Sequence, residues 1–205
     1  MKLYDHPDCP YGMKVRIVLA ESGHDFELVA VDLHAGQHHH PDFLKLNPFG
    51  KVPVLIDEDL VIYDSTTINE YLNDEYFPPD EALLPDDSGL KAQARMYEDY
   101  ADQAFILPGM AAERELARPP AERDQQRLTG AQDLLRKGLA MLERELEGKE
   151  YLAGTFSLAD IAYAPTLMRL DRLGVRADFS LANVKTWINR LATRQSIGAV
   201  LKQVA

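Results

Sequence analysis

The chain is expected to form two domains. The first is α+β, in the order β-α-β-α-β-β-α, with a small mixed sheet carrying helices on both faces; the second is all-α. Three observations predict this. The first third of the chain mixes short apolar runs with turn signals, whereas from Leu90 onward the segments are long, helical in period and poor in β-branched clusters. Between the two lies FPPDEALLPDDSG, Phe77 to Gly89, whose prolines and acidic residues interrupt any continuous helix or strand. The domains are therefore placed at residues 1–77 and 89–205, with a linker at 78–88.

Taken in order, the first domain opens with a strand at Lys2 to Tyr4 and a helix from about Tyr11 to Ser22. Gly23 ends that helix, because glycine enters the left-handed region without steric cost. A strand at Glu27 to Val31 follows, then a helical turn at Pro41 to Leu46, strands at Val54 to Ile56 and Leu60 to Ile62, and a helix from Ser65 to Glu75. This is the thioredoxin arrangement. In the second domain Leu135, Leu139, Leu142 and Leu146 recur at helical spacing and give a stripe to bury. Pro108 should kink or end the helix that begins near Ser88. TFSLADIAYAP has a sharp helix start: Ser157 caps, Asp160 reaches back, and Phe156 staples onto Ile161.

With 205 residues and 46% hydrophobic content, the chain can bury a core without metal or disulfide staples. Its formal charge of −11 and the lack of a basic stretch interleaved with aromatics argue against nucleic-acid binding. No apolar stretch suits a secretory signal or a membrane span, so the expected location is cytoplasmic. The single cysteine forms no internal disulfide, in keeping with a reducing compartment.

That cysteine lies in DHPDCPYGMKVR, where a strand turns into a helix. Pro10 suits the first helical position, which makes Cys9 the N-cap. Free amides and the positive end of the helix dipole then face the sulfur, which favours thiolate and so a nucleophile near neutral pH. Lys14 and Arg16 either add positive potential there or point to solvent. The competing view is that Cys9 is a small buried filler.

The blocks CPYGMKVRIVLAESG, NPFGKVPVL, YDSTTINEYL, LLPDD and FSLADIAYAP occur in the order seen in cytosolic glutathione S-transferases, and over nearly its whole length the chain resembles that superfamily. The CPY start is most similar to the cysteine-type, omega-like members, whose cysteine forms a mixed disulfide with glutathione. The resemblance implies the glutathione S-transferase fold and a homodimer. It also implies a cis Val52-Pro53 bond that turns the Val52 backbone toward glutathione, with Ser65 on the γ-glutamyl carboxylate and Asp64 on the ammonium. Many members have glutamate at the Asp64 position, one methylene longer. A plain helix cap would also explain Asp64 and Ser65.

His40, or else His39, matches a basic residue that binds the glycine carboxylate. His34, His38, His39 and His40 also raise a metal site, but no acidic or thiol ligand has a fitting spacing, so no metal is expected. Tyr11 lines the site and Tyr4 is core. Tyr97, Tyr100, Phe105 and Met110 either wall a pocket for a second substrate or are core, and Trp187 is packing.

The implied activity is a glutathione-dependent thiol transferase or reductase acting on a small disulfide, a glutathione adduct or dehydroascorbate, with glutathione as co-substrate and Cys9 as the catalytic thiol. With no second cysteine, the cycle is monothiol. One alternative is conjugation of glutathione to a small electrophile, with Cys9 only hydrogen-bonding the glutathione thiolate. Another follows stringent starvation protein A of the same superfamily, a non-enzymatic protein that associates with RNA polymerase.

Overall fold

Strand β1 (Lys2–Asp5) is one of two inner strands on which the N-terminal unit is built. β2 (Glu27–Ala30) pairs with it in parallel, setting Leu3 opposite Leu28, while β3 (Val54–Asp57) pairs antiparallel on its other side, setting Leu3 opposite Leu55. β4 (Leu60–Tyr63) closes the hairpin with β3, so the sheet order is β2-β1-β3-β4. Helices α1 (Pro10–Ser22), α2 (Pro41–Leu46) and α3 (Ser65–Tyr76) complete the unit, with a 3₁₀ turn at Gln37–His39 before α2. This computed structural model describes residues 1–176 and 180–202. The predicted helical domain's last residues, 203–205, lie outside them.

Side chains alternate across a strand, and β1 shows what each face receives. The Tyr4 ring meets Phe43 of α2 edge-on at 6.4 Å, on a small core with Val31 and Val54, while the Asp5 carboxylate is turned against Gly12 of α1. α1 and α3 pack on each other. The predicted elements of this unit are all present, with ends displaced by at most one residue. Gly23 caps α1 at φ 67°, in the left-handed conformation expected of it.

The other unit spans Leu84–Ile197 and is helical, whereas Gly198 to Lys202 group with Met1–Leu83. It holds α4 (Ser88–Ala101), α5 (Leu107–Leu116), α6 (Gln125–Glu145), α7 (Leu158–Leu167) and α8 (Ala182–Ala192), and α9 (Gln195–Lys202) begins within it. Leu135, Leu139, Leu142 and Leu146 are all buried, as their spacing predicts.

Pro108 does not end the helix. Between α4 and α5 the chain widens into a π turn, Asp102–Ile106, in which the Leu107 amide donates to the carbonyl of Asp102. That wider turn meets a proline, which has no amide to donate and crowds the preceding turn. Phe105 at the π turn is fully buried and takes the place a side chain at Gly138 would need, since a Cβ there would stand 2.6 Å from its ring.

Asp160 reaches back to the Ser157 amide and hydroxyl, both at 3.0 Å, as predicted. It also accepts from the Leu152 amide at 3.1 Å and the Trp187 indole at 2.9 Å. Trp187 is thus both packed and bonded. The Phe156 ring carries the Arg194 guanidinium at 3.6 Å and meets Tyr151 edge-on. Tyr97 and Phe105 belong to the core, Tyr97 donating to Glu145 at 2.6 Å, whereas Tyr100 is partly exposed.

Candidate active site

Cys9 occupies the N-cap of α1 in extended conformation, with Pro10 as first helical residue. Its thiol points at the Val52 carbonyl, 4.0 Å away, and the Val52-Pro53 peptide is cis. Val52 is half-buried and Pro53 buried. Two distant segments of sequence therefore meet at one sulfur.

The electrostatics overturn the expectation of a ready thiolate. Burial, with only 8% of Cys9 exposed, pushes its thiol up to about 11, and the Asp5 charge pushes the same way. The Gly12 and Tyr11 amides and Arg16 pull downward but do not win. A helix N-terminus lowers a thiol where water can still reach it; here desolvation of the anion outweighs the dipole. Nor do Lys14 and Arg16 point to solvent: both are buried, at 0% and 2% exposure. The Lys14 ammonium lies 5.9 Å from the centre of the half-buried Tyr11 ring.

Asp64 heads α3 as its N-cap and accepts from the Thr66 amide at 3.1 Å, the Thr67 amide at 3.0 Å and the Thr67 hydroxyl at 3.3 Å. It sits at φ 79°, which a residue other than glycine adopts only against steric resistance. Ser65, the first residue of α3, is buried. His40 heads α2, its Nδ1 accepting the Asp42 amide at 3.4 Å, with two-thirds of the imidazole exposed. His39 and His40 border an open cavity of about 570 Å³ between β2 and α2, also lined by Tyr4, Val31 and Phe43. The described contacts thus bring Cys9 and Val52 together and leave Asp64, Ser65 and His40 at the starts of their own helices.

The histidines pair as His6 with His34 and His38 with His39, at ring separations of 5.9 Å and 3.8 Å. Among the described residues no group of three His, Cys, Asp or Glu side chains is placed to hold a metal ion, and no helix is long and apolar enough to cross a membrane.

One part of the site was missed by reasoning from sequence. Asp5 and Arg16 form a buried ion pair at 3.1 Å beside α1's first turn. In the sequence Asp5 lies just past the predicted strand, and only the missing side chain at Gly12, three residues after Cys9, signals that something must approach there.

Residues 1–74 match the family model for the glutathione S-transferase N-terminal domain, and residues 120–190 match that for the C-terminal domain. Glutathione S-transferase 3 of Zea mays is 35% identical over 212 residues, covering 95% of this chain and 90% of its own. The chain belongs to the glutathione S-transferase family. A stringent starvation protein A homolog of Coxiella burnetii is also 35% identical, over 178 residues, with 85% of this chain and 78% of the relative covered. Among solved structures, a serine-to-cysteine variant of poplar glutathione transferase F1 superposes with a TM-score of 0.85 at 28% identity, covering 98% of this chain and 96% of its own. The plant relatives do not single out the omega-like subtype that the CPY start suggests.

Proposed function

We propose that this family member is a glutathione-dependent thiol transferase or reductase with Cys9 as its working thiol. The observation that carries this reading is the seat of the sulfur, at the head of α1 and against the carbonyl of Val52. In this reading Val52 and Pro53 present the backbone that pairs with the peptide-like middle of glutathione. Ser65, the first residue of α3, takes the γ-glutamyl carboxylate, Asp64 the ammonium, and His40 the glycine carboxylate, with Tyr11 lining the site.

The Cys9 thiolate attacks the glutathionyl sulfur of a mixed or symmetric disulfide. A new S–S bond forms, the old one breaks, and the departing thiolate takes a proton. A second glutathione thiolate then attacks the Cys9 mixed disulfide, releasing oxidised glutathione and restoring Cys9. No second cysteine takes part.

One observation favours a second reading. A thiol held at about 11 stays protonated at neutral pH and can donate, as it does toward Val52. Such a donor would steady the thiolate of bound glutathione while that thiolate attacks an electrophile.

The names of the relatives support glutathione as co-substrate. A homodimer is part of the proposal, supported by the exposed apolar side chains Phe49, Leu60, Val61 and Tyr63 on and beside edge strand β4. So is a cytoplasmic location.

Intact mass after incubation with oxidised glutathione, for the unmodified chain and Cys9→Ser, tests the reading. One glutathionyl adduct on the unmodified chain alone, removed by reductant, supports the transferase. No adduct, with glutathione binding and conjugation retained in Cys9→Ser, moves the function to the second reading. No glutathione binding by calorimetry overturns both and leaves the RNA polymerase partner suggested by the stringent starvation protein A relative.

A further inference from the structure

A carboxylate is buried against the helix turn that carries Cys9. The Asp5 side chain is 1% exposed, and its oxygens lie so close to α1 that a Cβ on Gly12 would stand 1.8 Å from Oδ1. Arg16, 2% exposed, reaches it from the same helix, Nε to Oδ2 at 3.1 Å, and donates from Nη2 to the Pro7 carbonyl at 2.6 Å. The Cys9 amide in turn donates to the carbonyl of His6 at 2.9 Å. Carboxylate, guanidinium and the loop ending in Cys9 thus form one connected cluster, shielded from water.

Charges in such a cluster act on each other far more strongly than at the surface. With Asp5 ionised, the pair with Arg16 is neutral and a Cys9 thiolate would be a second anion near the same Gly12 peptide. With Asp5 protonated, the Arg16 cation is left to balance the thiolate. We propose that Asp5 is a positioning residue for the Cys9 thiol: held by Arg16 against the same helix turn, its charge opposes ionisation of Cys9, which is easier while Asp5 holds a proton.

This rests on the reading of Cys9 as the working thiol. It names a charge that opposes the thiolate which that reading needs: with a proton on Asp5, the proton leaving Sγ passes to solvent and the sulfur electron pair is freed for attack beside one anion fewer. Burial pushes the Asp5 carboxyl up to about 7, against the pull of Arg16, so it exchanges its proton near neutrality. Other ionisable groups on the surrounding elements include Tyr4 on β1, Tyr11 and Lys14 on α1, His6 and Asp8 on the loop, and Lys51 beside Val52. By charge, Asp5 raises the thiol and Arg16 lowers it.

The test is the pH profile of the reaction of Cys9 with a pyridyl disulfide, in the unmodified chain and in Asp5→Asn, which keeps the shape and removes the charge. The expected midpoint for Asp5→Asn is lower by about one unit, which is about tenfold more thiolate at pH 8. A thiol of lower pKa is also a weaker nucleophile, by about threefold, so the rate rises about threefold. Superimposed profiles in two folded proteins would overturn the proposal.

If Asp5→Asn fails to fold, carboxyl-carbon NMR of the unmodified chain and Cys9→Ser decides instead. An Asp5 resonance with a second, alkaline step that Cys9→Ser lacks supports the coupling, and identical titrations in the two refute it. The reagent reports ionisation alone. If Cys9 reacts as described yet takes no glutathione from oxidised glutathione, the transferase reading fails and the coupling stands.

Discussion

Replacing Gly12 by alanine puts a methyl carbon where the Asp5 carboxylate sits. The ideal Cβ falls 1.8 Å from Oδ1 and 2.1 Å from both Cγ and Oδ2, well inside any tolerable contact. The carboxylate has nowhere to go, since Asp5 is 1% exposed and held by Arg16. Asp5 must therefore leave the site, breaking a buried ion pair, which costs about 3–5 kcal/mol when one partner is lost. Alanine returns about 1 kcal/mol through its better helix propensity. The expected net loss is about 2–4 kcal/mol, which at a urea slope of about 2 kcal/mol per molar lowers the midpoint by about 1–2 M. Urea unfolding followed by circular dichroism, at one protein concentration for all variants, measures it. In an Asp5→Ala background the same change should cost nothing further, because the clash is gone. A Gly12→Ala protein as stable as the parent would refute the packing described for Asp5.

Asp160→Ala should leave the Ser157 and Leu152 amides and the Trp187 indole without their acceptor. At about 1 kcal/mol or more for each buried donor the loss is about 3 kcal/mol, or roughly 6–12 °C in Tm, read by calorimetry. Burial raises Asp5 to about 7 and Asp160 to about 6 from the ordinary 3.8, so the folded chain binds protons that the unfolded chain releases. Their contribution to stability is full below about pH 4 and is lost as pH climbs through 6 and 7. The urea midpoint should be higher at pH 5 than at pH 8, with Asp5→Asn flattening the upper part of the fall; stability rising across that range would contradict both assignments.

Local rules carried the sequence reading a long way. Gly23 announces the end of α1, Ser157 and Asp160 the start of α7, and Pro10 the start of α1 with Cys9 at its cap, because each acts on backbone groups within a few residues. The leucine stripe of α6 was equally legible, since period alone decides which face a helix buries. Of the two effects expected of Pro108, a kink or an end, the end is absent because its effect depends on what surrounds it: with Phe105 and Ile106 buried beside it, the helix continues through a widened turn. At the candidate site, residue types and order pointed to Cys9, Val52, Asp64 and Ser65, but not to their electrostatic state.

The sequence by itself determined the order of elements, the placing of a cysteine at a helix head, and the family in which those blocks recur. All three follow from neighbours in the chain. The tertiary structure alone decided that the thiol is held protonated and that Lys14 and Arg16 are buried rather than solvated. It alone seated Asp5 against Gly12. The physical reason is that ionisation depends on how much water and which charges surround a group in space, and the fold brings those together from β1, α1 and the Val52 segment.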